Sequence, residues 1–222
     1  MPDTGAASWI VAVCSQKGGA GKSTLVMSLA AAVADSAGRA LVVDVDPQAS
    51  TADEVDKMAN PGFDVVHELD PARLSQLSRV REYDLILVDT PGSLEGRDVL
   101  KQVVDNSHFA LLPYVDEPFS YDPTQRTAQV VQEAGVPHAA VVNRIDSRAG
   151  ADGLTEARER LDEWGVPYFA SFIRQYVGYP KSLAANKTVY QWRGKYSAHM
   201  REDISRVQAE LQRALGRIAS GG

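Results

Sequence analysis

The amino-acid sequence predicts a mostly parallel, twisted β-sheet flanked by helices on both faces. Three observations carry that expectation. Short β-branched runs alternate with stretches of helical period, the pattern of strands joined by crossover helices. Across 222 residues, 44% are apolar and 23% charged, the balance of an ordinary globule. Neither a Gly/Ser-rich linker nor a repeat nor a low-complexity tract interrupts the chain, so residues 1–222 read as one domain.

The elements follow in order. Trp9–Cys14 is a continuous apolar run, as expected of a central strand buried on both faces. A Gly-rich loop leads to a helix from Lys22 to Ser36, with Leu25, Leu29, Ala32 and Val33 on one side. Gly38 stands where a helix terminator belongs. Further strands are expected at Ala40–Val45, Tyr83–Val88, Phe109–Leu112 and Ala139–Val142. Between them lie a short strand at Phe63–Val66 and a short helix at Pro71–Leu77. His199–Ala219 has helical period, with Ile204, Val207, Leu211, Leu215 and Ile218 along one face.

Composition narrows the chemistry. Cys14 is alone, which excludes an internal disulfide and any cysteine-based zinc or iron–sulfur site within one chain. His67, His108, His138 and His199 are scattered without ligand spacing. No apolar run approaches a membrane span, and Met1-Pro2-Asp3 opens without a basic leader region. The expectation is a cytoplasmic protein.

The functional signal is Lys17-Gly18-Gly19-Ala20-Gly21-Lys22-Ser23-Thr24, set between a strand and a helix. Glycines there let successive backbone N–H groups converge on phosphate oxygens, and the helix N-terminus adds its positive end. Lys22 can reach β- and γ-phosphates, and the Ser23 hydroxyl can ligate Mg²⁺. Gln16 stands where the ordinary P-loop formula wants its first glycine, and Lys17 adds a second ammonium at the entrance.

With that second lysine, the segment resembles the deviant Walker A loop of the ParA/MinD family of P-loop ATPases. The resemblance implies that Lys17 crosses a face-to-face homodimer to the partner's ATP, while Lys22 serves its own. It further implies Mg²⁺ on Ser23 and an α-phosphate contact for Thr24, with Gly18, Gly19, Ala20 and Gly21 forming the cradle. Asp44-Val45-Asp46-Pro47-Gln48 matches the family's D-x-D-P-Q segment. By resemblance Asp46 positions the hydrolytic water and Asp44 lies near the Mg²⁺ shell; the alternative for Asp46 is a turn-former before Pro47. Asp89 ends an apolar strand in the Walker B manner and suits Mg²⁺ through a bridging water. Gly92 replaces a proline common in the family, which should make the following switch segment more permissive. Asn143 ends another strand where the family places an adenine contact, although asparagine there is also a common turn residue.

The net charge is −6, yet from residue 171 onward nine Lys/Arg face three Asp/Glu. At 100° per residue Arg206, Arg213 and Arg217 share one helix face opposite the apolar seam. Lys195 joins them if the helix starts earlier, and Lys181, Lys187, Arg193 and Arg201 enrich the same segment. Such a surface can hold nonspecific double-stranded DNA by counterion release; the alternative is a solvated helix exterior. The resemblance favours a short partition ATPase that cycles on nucleoid DNA. It would have low turnover, no evident arginine finger, and a ParB-like partner that stimulates it. Rival readings are a relative that positions a protein cargo, a membrane-associated regulator of the MinD kind, and a small-molecule ligase or kinase on the same fold.

Overall fold

A computed structural model describes residues 8–92, 97–146 and 152–221. Trp9–Val13 (β1), Ala40–Asp44 (β2), Asp64–His67 (β3), Leu85–Asp89 (β4), Phe109–Tyr114 (β5), His138–Ile145 (β6) and Tyr168–Arg174 (β7) pair in parallel. Their order is β3-β2-β4-β1-β5-β6-β7. Alternation of side chains along each strand divides the core. Val11, Val13, Leu85 and Leu87 face Lys22–Asp35 (α1) and Ser197–Ala219 (α8). Ile10, Ala12, Ile86 and Val88 face the opposite layer, built from Arg97–Asp105 (α4), Tyr121–Glu133 (α5) and Asp152–Glu163 (α6). Three shorter helices, Ser50–Asp56 (α2), Pro71–Leu74 (α3) and Gly178–Ala184 (α7), complete the frame.

This is the expected sheet with helices on both faces; the helix expected over Pro71–Leu77 ends at Leu74, the short strand shifts to Asp64–His67, and three further departures bear on the frame. Strand β7 is new: it alternates in burial, carries Arg174 and pairs to β6 with register shifts, so it lacks the continuous apolar run of a central strand. Helix α1 stops at Asp35, and Ala37 rather than Gly38 takes the left-handed turn, at φ 63°. Gly38 donates its N–H to Val33 O at 2.9 Å, and a Cβ there would lie 2.8 Å from Val33 Cγ1. Helix α8 begins at Ser197, two residues before the expected His199 and still beyond Lys195, after Tyr196 at φ 67°.

The apolar seam of α8 is covered. Ile204, Val207, Leu211 and Leu215 are buried in the layer shared with α1, with Ile218 packed at its edge. A face so occupied has no apolar surface to lay on a lipid boundary. Among the described residues no helix is long and apolar enough to cross a membrane.

Topology then fixes where a ligand goes. The chain runs outward from β1 to β2 on one side and later to β5 on the other, so the strand order reverses there. In open α/β sheets the crevice beyond the C-terminal strand ends at such a point is the binding position. The register brings Val13, Asp44 and Asp89 level at that edge, because Asp89 pairs with both others.

Candidate nucleotide site

Residues 14–21 leave β1 and enter α1 at that crevice. Gly19 and Gly21 have φ 77° and 90°, values that favour glycine, and Gly18 and Gly19 are exposed. Gly21 is constrained twice, since a Cβ there would lie 2.5 Å from Asn143 Nδ2. Asn143 is buried and donates through Nδ2 to Ala20 O at 2.8 Å, while its Oδ1 accepts from Arg144 N at 2.9 Å. Its first job is therefore to hold the phosphate loop against β6. It also lines a cavity of about 660 Å³ with Gly21, Thr24, Arg144, Tyr176 and Tyr196, within the range of small-molecule sites.

The two lysines differ in setting. Lys22 is 8% exposed. Burial draws its ammonium below the ordinary value, and Asp89 and then Asp46 oppose that shift. Gly92 makes its room: a Cβ there would lie 2.8 Å from Lys22 Nζ and 3.5 Å from Gly18 Cα. The expected benefit of Gly92 was backbone freedom; its observed benefit is the absent side chain. Lys17 is half-buried and, among the described residues, has no ion-pair partner. An unneutralised ammonium at the loop's mouth is free to meet a phosphate.

The carboxylates divide the work in a way the sequence did not disclose. Asp44 is fully buried; its Oδ2 accepts from Thr51 N and Ala52 N at 2.9 and 3.0 Å, and Oδ1 from Asp46 N at 3.0 Å. Those bonds give Asp44 a structural job, holding the start of α2 and the Asp46 loop, beside Asp89 on the neighbouring strand. Asp44→Ala would orphan three N–H groups, and we expect a stability loss of roughly 3 kcal/mol or more in denaturant titration. Asp46 is half-buried, with Oδ1 accepting from Gln48 N at 3.0 Å and its backbone oxygen 3.0 Å from His67 Nε2. The turn-forming role is present, and it leaves the second carboxylate oxygen for other work.

Asp89 is the carboxylate that fits a cation. Thr51 Oγ1 donates to its Oδ2 at 2.6 Å, the nearby Ser23 hydroxyl also favours its charged form, and Oδ1 is buried with no hydrogen-bond partner among the described residues. Burial pushes its pKa up to about 6, despite the lowering effects of Ser23, Thr51 and Lys22; Asp44 adds a smaller raise. An orphaned carboxylate oxygen beside a hydroxyl is a hard-oxygen donor set suited to Mg²⁺. Thr51, which ties Asp89 to the Asp44-capped helix, and His67 were missed in the sequence. The Ser50-Thr51 pair at a helix start after D-x-D-P-Q was the available signal for Thr51.

The raised Asp89 pKa gives a pH prediction. Below about pH 4 both folded and unfolded chains hold the proton. Between there and pH 6 only the folded state keeps it, so stability falls as pH rises through that window and stays lowered above it. At about 1.4 kcal/mol per pH unit the penalty is on the order of 3 kcal/mol. Asp89→Asn should therefore raise the melting temperature of the nucleotide-free protein at pH 7.5, with the gain fading toward pH 4. Thermal melts at both values check it, and the same variant should bind Mg²⁺-nucleotide more weakly.

The tyrosine- and tryptophan-rich stretch is mostly core. Tyr176, Tyr179, Tyr190 and Trp192 pack against the α8 layer, while Tyr176 and Tyr196 stack at 4.8 Å in the cavity wall.

Arg206, Arg213 and Arg217 are exposed, but Arg206 pairs with Glu202 at 2.7 Å. Arg217 sits beside Phe109 and His138, at the N-terminal edge of the sheet, opposite the nucleotide end. Lys195 lies before α8 with its ammonium 4.7 Å from the Tyr196 ring centroid. Arg201 is half-buried and donates to Trp192 O, and Arg193 donates to Tyr190 O. Lys181 on α7 and Lys187 just beyond it are exposed. The eight cations are thus dispersed over the α7–α8 region and do not form one stripe.

A reversal-point crevice with a glycine cradle, a buried lysine and an orphaned carboxylate defines a P-loop nucleotide-binding protein. Residues 11–189 match the CobQ/CobB/MinD/ParA nucleotide binding domain, and the chain belongs to this family of ParA/MinD-type ATPases. It is 35% identical over 206 residues to the Maintenance of carboxysome distribution protein A of Gloeobacter kilaueensis, covering 92% of this chain and 94% of the relative. Among solved structures, the MinD cell division protein of Aquifex aeolicus superposes with TM-score 0.76 at 16% identity, over 92% of this chain and 97% of that one. The ATP complex of McdA from Cyanothece gives TM-score 0.69 at 16% identity, over 94% and 96%. At those identities the two structures share the fold.

Proposed function

We propose that this chain is a slow, Mg²⁺-dependent ATPase whose ATP-bound form is a face-to-face homodimer that positions a protein assembly on DNA. The observation that carries the switch is Lys17, an ammonium with no ion-pair partner among the described residues, at the mouth of a cradle that already contains a lysine. Lys22 and the loop N–H groups would hold the nucleotide's own phosphates, with Thr24 on the α-phosphate. Asp89 and Ser23 would hold Mg²⁺, which neutralises phosphate charge when bound. Asn143 and the cavity wall would take the adenosine end, and the free oxygen of Asp46 would orient the attacking water. Lys17 would reach the partner's phosphates, so that closure and hydrolysis depend on each other. The γ-phosphate is then the contact that differs between open and closed states, as any ligand-driven switch requires.

The cargo reading rests on the relative from Gloeobacter kilaueensis, whose name gives carboxysome distribution as its role. It favours a protein compartment over a plasmid or chromosome as the thing moved. Deleting the gene should disturb the spacing of such compartments, seen by fluorescence, while plasmid retention stays normal. Plasmid loss with normally spaced compartments would contradict it and restore the partition reading with its ParB-like partner.

DNA would serve as the track. Arg213 and Arg217, exposed and unpaired among the described residues, with Lys181 and Lys187, supply the charge. Retention on DNA with ATP should weaken steeply with salt, and replacing Arg213 and Arg217 should flatten the slope of log K against log[salt] by about 1–2 per protomer. A gel-shift titration across salt concentrations checks this, and an unchanged slope would remove these arginines from the DNA surface.

A further inference from the structure

Phe119 is 83% exposed, the most exposed of the large apolar side chains among the described residues. It lies in a single helical turn, Pro118–Ser120, that leaves the C-terminal end of β5 beside the phosphate loop. The turn is braced from behind. Arg160 Nε donates to Asp116 at 2.9 Å, the Tyr114 hydroxyl bonds the same carboxylate, and the Arg160 guanidinium stands 4.4 Å from the Tyr121 ring centroid. On its loop side, Gln16 N donates to Thr127 Oγ1 at 3.0 Å, tying α5 to the residue before Lys17. A large apolar ring is therefore held in water on a rigid mount, which is the form of a pre-organised contact anchor.

Its companions identify the kind of partner. Leu69 follows β3 and Val177 follows β7, both about half exposed, and Tyr196 lies near Val177 in the same cavity wall. These residues occupy the C-terminal edge of the sheet, the edge that carries Lys17, and they are spread over its width. Seven strands at about 4.8 Å spacing put Leu69 and Val177 roughly 30 Å apart. Apolar points spread so widely do not make a groove for a peptide; they suit a broad, self-complementary contact with a second copy of the same edge. We infer that Phe119 is an anchor of the ATP-dependent dimer, buried against the second copy of this chain when the two nucleotide faces close. The inference rests on the dimer reading above and assigns that interface a residue outside the nucleotide motifs.

The test compares wild type, Phe119→Ser and Phe119→Leu by sedimentation velocity with a non-hydrolysable ATP analogue and Mg²⁺, with ADP affinity measured on each. The expected result is a dimer for wild type and Phe119→Leu, and a dimer dissociation constant raised about 30-fold or more for Phe119→Ser at unchanged ADP affinity. A Phe119→Ser dimer as tight as wild type overturns the inference and leaves the dimer reading standing. That same result, coupled with loss of stimulation by an adaptor, would assign Phe119 to the adaptor instead. A wild type that stays monomeric with the analogue overturns the dimer reading and the inference with it.

Discussion

Replacing Lys17 with alanine is expected to leave a folded monomer that still binds ADP but no longer dimerises with ATP. Lys17 has no ion-pair partner among the described residues, so its removal breaks no salt bridge among them. Its cost falls on the closed state alone. Truncating one member of a buried, hydrogen-bonded charge pair costs about 2–5 kcal/mol, and a two-fold dimer loses two such pairs. The dimer constant should weaken about 10³-fold or more, with ATP turnover falling alongside. Sizing chromatography with ATP and Mg²⁺ reads the first effect and phosphate release the second. Lys22→Ala should behave differently: it removes a buried contact to the protein's own nucleotide, so ADP affinity itself should drop.

Asp46→Ala is expected to produce the opposite phenotype, a dimer that forms and does not come apart. In the protein, Oδ1 closes a local turn onto Gln48 N, and the carboxylate also presents its charge to Lys22. Removing it should cost about 1 kcal/mol of stability, within the range of one hydrogen bond. Loss of a group that orients or deprotonates the attacking water costs about 10²–10⁴ in rate. Turnover should fall by that factor while ATP affinity and dimerisation persist. Asp44→Ala, two residues away, should lose stability first, because three buried N–H groups depend on it. That contrast separates the two carboxylates by measurement.

The parts legible in the sequence were those encoded by local pattern. Strands β1 and β4 are unbroken apolar runs because both faces are covered, and the glycine cradle needs backbone conformations that few other residues adopt. The α8 seam was legible for a similar reason, since its burial follows a 3.6-residue period. What escaped depends on distant partners. Asp44 and Asp46 look equivalent in D-x-D-P-Q, and only the fold shows that α2 turns back to place Thr51 and Ala52 on the first. Strand β7 was hidden because an edge strand with exposed alternate residues and shifted register carries little apolar signal. Angle alone places Arg206, Arg213 and Arg217 on one face and says nothing of how far apart they lie along the helix axis. A 23-residue helix runs about 35 Å, longer than these strands, so it carries Arg217 to the far edge of the sheet.

The account stands or falls on where the Lys17 ammonium goes when ATP is bound. The direct measurement is a crystal structure of Asp46→Ala with ATP and Mg²⁺. Two protomers with their nucleotide edges apposed, each Lys17 within hydrogen-bond distance of the other's phosphates, is the predicted result. A monomer, or a dimer in which Lys17 contacts its own nucleotide or only water, would contradict it.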